Sequence, residues 1–304
     1  MKKTLFSAWL LASLSFACGQ GQPSAPAADT LAAASTDTLA PAPSPEHFCS
    51  LEDRAKIESL LDSAQAWPDT TSPGRRVASF GMALLATPYI PHTLEGQPSE
   101  RLVVRADGLD CVTFLESALA LSMASRRRPD FDGYLQALAA LRYRDGLIDG
   151  YPSRLHYFTD WLHDNARRGH LRDITAELGG QPYPNRVDFM SQHPGSYEAL
   201  ADTANLRRVQ EVERAISARS YHYIPKDSVR ALEAGIRDGD LVIITTNVPG
   251  LDASHVGLAL WKGPRLHLLH ASDASGCVEL SAKPLHELLA GYRIQTGIMV
   301  ARPL

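Results

Sequence analysis

The chain reads as an α+β fold, with helices and strands segregated along the sequence. Two observations carry that assignment. Amphipathic stretches with apolar residues three and four apart dominate 51–142 and return at 156–168 and 197–218. Short β-rich runs separated by Gly, Pro, Asp and Ser fill 240–302. The two types never alternate as βαβ units, so the strands are expected to form an antiparallel sheet.

The N-terminus has the form of a leader. Lys2 and Lys3 precede "LFSAWLLASLSFA", an apolar run too short to span a bilayer. It ends at Ala17-Cys18-Gly19, and a small residue before cysteine resembles the lipobox of bacterial lipoproteins. That resemblance implies a signal segment over 1–18, lipidation of Cys18, and a membrane-anchored protein of the cell envelope facing the periplasm. Ser15-Phe16-Ala17 also suits an ordinary signal peptidase. Either route predicts export. Residues 19–46 are rich in Pro, Ala, Ser and Thr and nearly free of bulky apolar groups, which predicts a flexible linker.

The folded region is expected over 47–304. "SLEDRAKIESLLDSAQAW" places Leu51, Ala55, Leu60, Leu61 and Ala64 on one helical stripe, and "GRRVASFGMALLAT" does so with Val77, Phe80, Leu84 and Leu85. Pro88 and Pro91 break that pattern. In "CVTFLESALALSMAS" the apolar positions surround most of the helix, and Asp110 is placed as its N-cap. Further helices are expected at 131–142, 156–168 and 197–218. Strands follow in "DLVIITTNV", "HVGLALW", "LHLLHA", "CVEL" and "TGIMVAR".

Composition narrows the function. The chain has 304 residues, 44% hydrophobic and 21% charged, as a globular protein should. A net charge of −4 gives no electrostatic case for nucleic acid. There is no His-Glu-x-x-His, no Gly-x-Ser-x-Gly, no Walker loop and no dinucleotide fingerprint, so neither a metal nor a cofactor is expected.

Cys111 is the residue with chemical promise. It begins a helix, where free N–H groups and the positive end of the macrodipole favour a thiolate. A catalytic thiolate needs an imidazole to take its proton and a third group to orient the ring, and "SHVGLALW" and "LHLLHAS" supply His255, His267 and His270. On these grounds alone a buried, inert cysteine is the commoner outcome.

The ordered motifs change that balance. Asp110-Cys111 at a helix start, "GIRDGDLVII", "SHVGLAL" and "LHASDASG" resemble the NlpC superfamily of bacterial cell-wall cysteine peptidases. "YRDGLIDGYPSRLHYFTDWLHDN" and "SYHYIPKDS" resemble its N-acetylmuramoyl-L-alanine amidase-like branch. The resemblance implies a papain-like fold, with the catalytic helix packed on the sheet and a mainly helical insertion at about 126–235. It implies Cys111 as nucleophile, His255 as general base and His270 as orienting group. His267 lies at the more usual spacing from His255, but alternation puts it and His270 on opposite strand faces, and His270 has the matching "HAS" context.

"TPYIP" resembles the family's upstream tyrosine motif, making Tyr89 a candidate for oxyanion or substrate contact. Arg154, His156 and Tyr157 in "SRLHY" are further substrate-contact candidates, mostly on the resemblance. The implied substrate is a muropeptide cut between N-acetylmuramic acid and L-alanine. The bond between γ-D-glutamyl and the diamino acid is the alternative, as is an inactive wall-binding lipoprotein. In an exported protein Cys49 and Cys277 could pair as a disulfide or stay as separate thiols.

Overall fold

A computed structural model of the chain describes residues 44–97, 99–184 and 186–304. The leader, most of the linker and Cys18 lie outside the described residues. Among those described, no helix is long and apolar enough to cross a membrane.

The fold opens with β1 (His47–Phe48), which later pairs in parallel with β2 (Leu102–Val103). Helix α1 (Leu51–Ala64) starts at Ser50, whose hydroxyl accepts from Asp53 N, and it buries Ile57, Leu61 and Ala64. Leu51 departs from the expected stripe. It is 82% exposed, because the first turn overhangs the core and the packed face begins one turn later. Helix α2 (Pro73–Ala83) uses Ser72 as cap and Pro73 in its first turn, and Ala86 at φ 63° ends the segment.

Helix α3 (Cys111–Arg127) is the axis of the molecule. Asp110 caps it by accepting from Thr113 N at 2.8 Å, while the Thr113 hydroxyl accepts from Asp110 N. It is buried on nearly all sides, as its apolar sequence requires. The one acid inside, Glu116, accepts from Arg142 Nε at 2.7 Å and from Trp161 Nε1 at 3.2 Å. Those partners sit on α4 (Phe131–Arg142) and α5 (Phe158–Arg167). A buried acid needs such partners to remain in place.

Between α5 and the main strands the chain is less helical than the sequence suggests. It runs through β3 (Leu171–Asp173), β4 (Gln181–Tyr183), α6 (Phe189–Gln192), α7 (Thr203–Ser217), β5 (Tyr221–Pro225) and α8 (Lys226–Leu232). β6 (Leu241–Thr246), β7 (Ala253–Lys262), β8 (Arg265–Ser272), β9 (Cys277–Leu280), α9 (Leu285–Ala290) and β10 (Gln295–Pro303) complete it. The sheet order is β4-β5-β10-β6-β7-β8-β9, antiparallel throughout, with β3 also on β10.

Both faces of the sheet are covered. Leu241, Ile243, Val256, Leu258 and Leu269 join the core around α3, whereas Val242, Ile244, Ala259 and Leu268 join Val229 of α8 and Leu285 of α9. That explains the unbroken apolar run in β6: alternate residues face alternate cores. The observed class is α+β, with helices on both faces of one antiparallel sheet.

Candidate active site

Three pieces of chain meet around Cys111. The first is the start of α3. Asp110 occupies the Thr113 N–H, and Phe114 N donates to Asp110 O. The N–H groups of Cys111 and Val112 remain beside the thiol, and Val256 N–H of β7 approaches it from the sheet. The helix start is therefore held against the strand residue that follows His255.

The second piece is β7 with β8. A register shift falls between Ile244↔His255 and Thr245↔Ala253, a bulge immediately before His255 that re-aims the strand end. His255 Nε2 lies 2.7 Å from His270 Nδ1, with the rings nearly perpendicular at 87°. The contact is diagonal across the strands, since Leu258↔Leu269 is the nearest direct pair and sets Gly257 opposite His270. His267 takes no part. Its Nδ1 meets Ser281 O at 2.8 Å, and it is 6% exposed.

The third piece carries Tyr89. Its backbone N donates to Gly276 O at 2.8 Å, and it bridges in parallel to Leu109, two residues before Cys111. Burial, with Cys111, Asp110 and Asp273 nearby, pushes its hydroxyl up to about 12, so it is a donor at any physiological pH.

The electrostatics are those of neutral groups. Burial pushes the Cys111 thiol up to about 12, and the Asp110 carboxylate adds to that; the three backbone N–H groups oppose it. Burial holds His255 down at about 3, helped by His270. Burial likewise lowers His270, against the pull of Glu279. At neutral pH the thiol and both imidazoles are uncharged in the free protein.

The other substrate-contact candidates each have protein partners of their own. Arg154 is 8% exposed, and its guanidinium is shared between Glu95 at 2.7 Å and Glu100 at 2.7 and 3.1 Å. It lines a cavity of about 480 Å³ with Leu94, Tyr151 and Asp202, but its donors already have carboxylate partners. His156 packs on Tyr151 at 4.4 Å and bonds Tyr151 O, with burial holding it near 3, so it offers no positive charge. Tyr157 is 2% exposed; its hydroxyl donates to Glu213 and accepts from Met190 N. The polar atoms of Arg154 and Tyr157 are thus engaged by protein partners, Glu95 and Glu100 for the first and Glu213 and Met190 N for the second.

Cys49 and Cys277 are free thiols, not a bridge. Cys49 Sγ donates to Ser50 O beside α1, while Cys277 sits across the sheet edge opposite Pro88. Among the described residues no three His, Cys, Asp or Glu side chains converge as a metal ion would require. The sequence reading overlooked two contributors: the Val256 N–H, which no side-chain motif reveals, and Glu279, which "CVEL" presents as an ordinary strand residue.

A family model for N-acetylmuramoyl-L-alanine amidase-like proteins matches residues 79–297. The chain is 37% identical to a Bacteroides uniformis protein whose structure is described as an N-acetylmuramoyl-L-alanine amidase; the match covers 76% of this chain and 99% of that one, with a TM-score of 0.74. A Bacteroides fragilis protein carrying a provisional xylanase name is 38% identical over 74% of this chain and 99% of its own, at a TM-score of 0.71. A Legionella pneumophila protein at 22% identity shares the fold, with a TM-score of 0.64 over 83% of this chain and 95% of its own. No curated protein matches the chain.

Proposed function

The chain belongs to the N-acetylmuramoyl-L-alanine amidase-like family, and from that premise we propose that it is a papain-like, NlpC-type cysteine amidase acting on muropeptides. The observation that supports it most is the short His255–His270 bond, made from the strand whose Val256 N–H reaches a cysteine at a helix start. The reaction class is acyl transfer through a thioester.

Because thiol and imidazole are both neutral in the free protein, His255 takes the Sγ proton as the thiol attacks, rather than holding a preformed ion pair. The new S–C bond forms at the lactyl carbonyl of muramic acid. The developing oxyanion is met by backbone N–H at the start of α3, with the Tyr89 hydroxyl as a second donor. The C–N bond then breaks, and the L-alanine nitrogen leaves with the proton from His255. Water, deprotonated by His255, hydrolyses the thioester and regenerates the thiol. His270 keeps the ring of His255 in place throughout.

We also propose that the protein is exported and held in the envelope through lipidated Cys18, on the strength of the leader sequence. Two acyl chains would hold it far better than one. Cys18→Ser should shift it from the membrane fraction or block its processing.

The deciding experiment uses a muramyl-tetrapeptide and the bare tetrapeptide, with wild type and Cys111→Ser. Wild type should release free sugar and intact tetrapeptide from the first and leave the second untouched. Cys111→Ser should lose nearly all turnover. Release of L-Ala-γ-D-Glu from the bare tetrapeptide would establish the endopeptidase reading. No cleavage of either would leave a binding lipoprotein.

A further inference from the structure

We propose that Glu279 is a positioning residue that fixes the tautomers of the His255–His270 pair and so presents a bare Nδ1 of His255 to the thiol. The proposal rests on the cysteine-amidase reading above.

One hydrogen bond at this site can be made in two ways. His255 Nε2 and His270 Nδ1 are 2.7 Å apart, and between neutral imidazoles one must donate and the other accept. If His270 donates from Nδ1, His255 must carry its proton on Nδ1. It then has no lone pair with which to receive the thiol proton. If His255 donates from Nε2, its Nδ1 is a base, and His270 must carry its own proton on Nε2. Only the second arrangement works.

Nothing in the pair itself chooses between them. The choice falls to whatever faces His270 Nε2. That atom is buried and has no hydrogen-bond partner among the protein groups. Glu279 is the direct cross-strand partner of His270 in the β8–β9 register, and its Oε1 stands 3.8 Å from Nε2. A bridging water or a small rotation of the carboxyl closes such a gap. Carboxylate oxygens only accept, so they stabilise an N–H at Nε2 and disfavour a bare lone pair there. Glu279 thereby selects the productive arrangement through His270, without touching substrate.

In the reaction the Sγ proton passes to His255 Nδ1 as the S–C bond forms. The resulting imidazolium keeps its Nε2–H on His270 Nδ1, and His270 keeps its Nε2–H toward Glu279. No proton need leave the pair.

The test is long-range ¹H–¹⁵N correlation of the histidine rings in the full-length protein, assigned with His255→Gln and His270→Gln. Wild type should show His270 and His255 both protonated on Nε2. Glu279→Leu should shift the pair toward the opposite tautomers and lower kcat roughly tenfold, with KM held within about twofold. Glu279→Gln keeps an acceptor oxygen and should restore the tautomers and most of kcat. A merely structural role would lower stability without moving tautomers. His255 protonated on Nδ1 in active wild type would overturn the role of Glu279, as would a Glu279→Leu protein with tautomers and kcat unchanged. If Glu279→Leu does not fold, the wild-type and Glu279→Gln spectra decide. The expected tautomers in a protein that cleaves no amide would instead overturn the amidase reading.

Discussion

Gly257→Ala tests whether the diagonal histidine contact matters, because it changes the frame without changing either ring. A methyl at this position would lie 2.8 Å from Leu269 O, 2.9 Å from Leu268 Cδ1 and 3.0 Å from His270 Cβ. The Leu268 methyl can swing aside. The Leu269 carbonyl is part of the β8 backbone, so β7 and β8 must part by a few tenths of an ångström. Overpacking of this kind costs about 1–3 kcal/mol, which for a domain of this size lowers Tm by about 2–12 °C. The same displacement carries His270 away from a bond that is now 2.7 Å long. Losing it removes about 0.5–1.5 kcal/mol of orientation, or about 2–13-fold in kcat. KM should hold, since Cys111 and Tyr89 are untouched. The assay is muropeptide turnover followed by chromatography, beside thermal unfolding by circular dichroism. The double variant supplies the control. In a His270→Ala background, Gly257→Ala should still cost stability but take nothing further from kcat. Full activity in the single variant, or an equal further loss in the double one, would refute the reasoning.

Two other outcomes follow from the site. With the Cys111 thiol at about 12 instead of an ordinary 9.0, its thiolate fraction near neutrality is about a thousandfold smaller than that of a free cysteine. Iodoacetamide labelling of Cys111, followed by peptide mass spectrometry, should therefore rise about tenfold per pH unit through pH 9; a plateau on the acid side would mean a preformed thiolate–imidazolium pair. Arg154→Met should leave Glu100 buried with the Tyr143 hydroxyl but without its cation and cost about 3–5 kcal/mol in urea unfolding, with KM little changed. A large rise in KM at unchanged stability would instead mark Arg154 as a substrate contact.

What could be read from the sequence was whatever depends on neighbours along the chain. The cap at Asp110 needs only Thr113 three residues on, and the strands of 241–303 announce themselves by β-rich composition. The segment at 171–225 was harder. β3, β4 and β5 are three to five residues long, too short for a period to show, and they exist because β10 and each other supply their partners. The same limit applies to Leu51, which fits a helical stripe but overhangs the core.

The site divides along the same line. Strand alternation was enough to separate His270 from His267, because that distinction is local. Whether Arg154 and Tyr157 are free to meet a ligand is not local. Arg154 is neutralised by Glu95 and Glu100, more than fifty residues earlier, and Tyr157 is tied to Glu213 in α7. A basic residue beside an aromatic one looks like a recognition patch until those carboxylates are placed. Glu279 is the converse case. In sequence it is an acid in a short strand, and only the β8–β9 register sets it against His270 Nε2. Its role depends on the unpaired nitrogen that it faces. A search by residue type and spacing singles out Cys111, His255 and His270, whereas an acid that faces a ring nitrogen from the next strand emerges only from the pairing of strands.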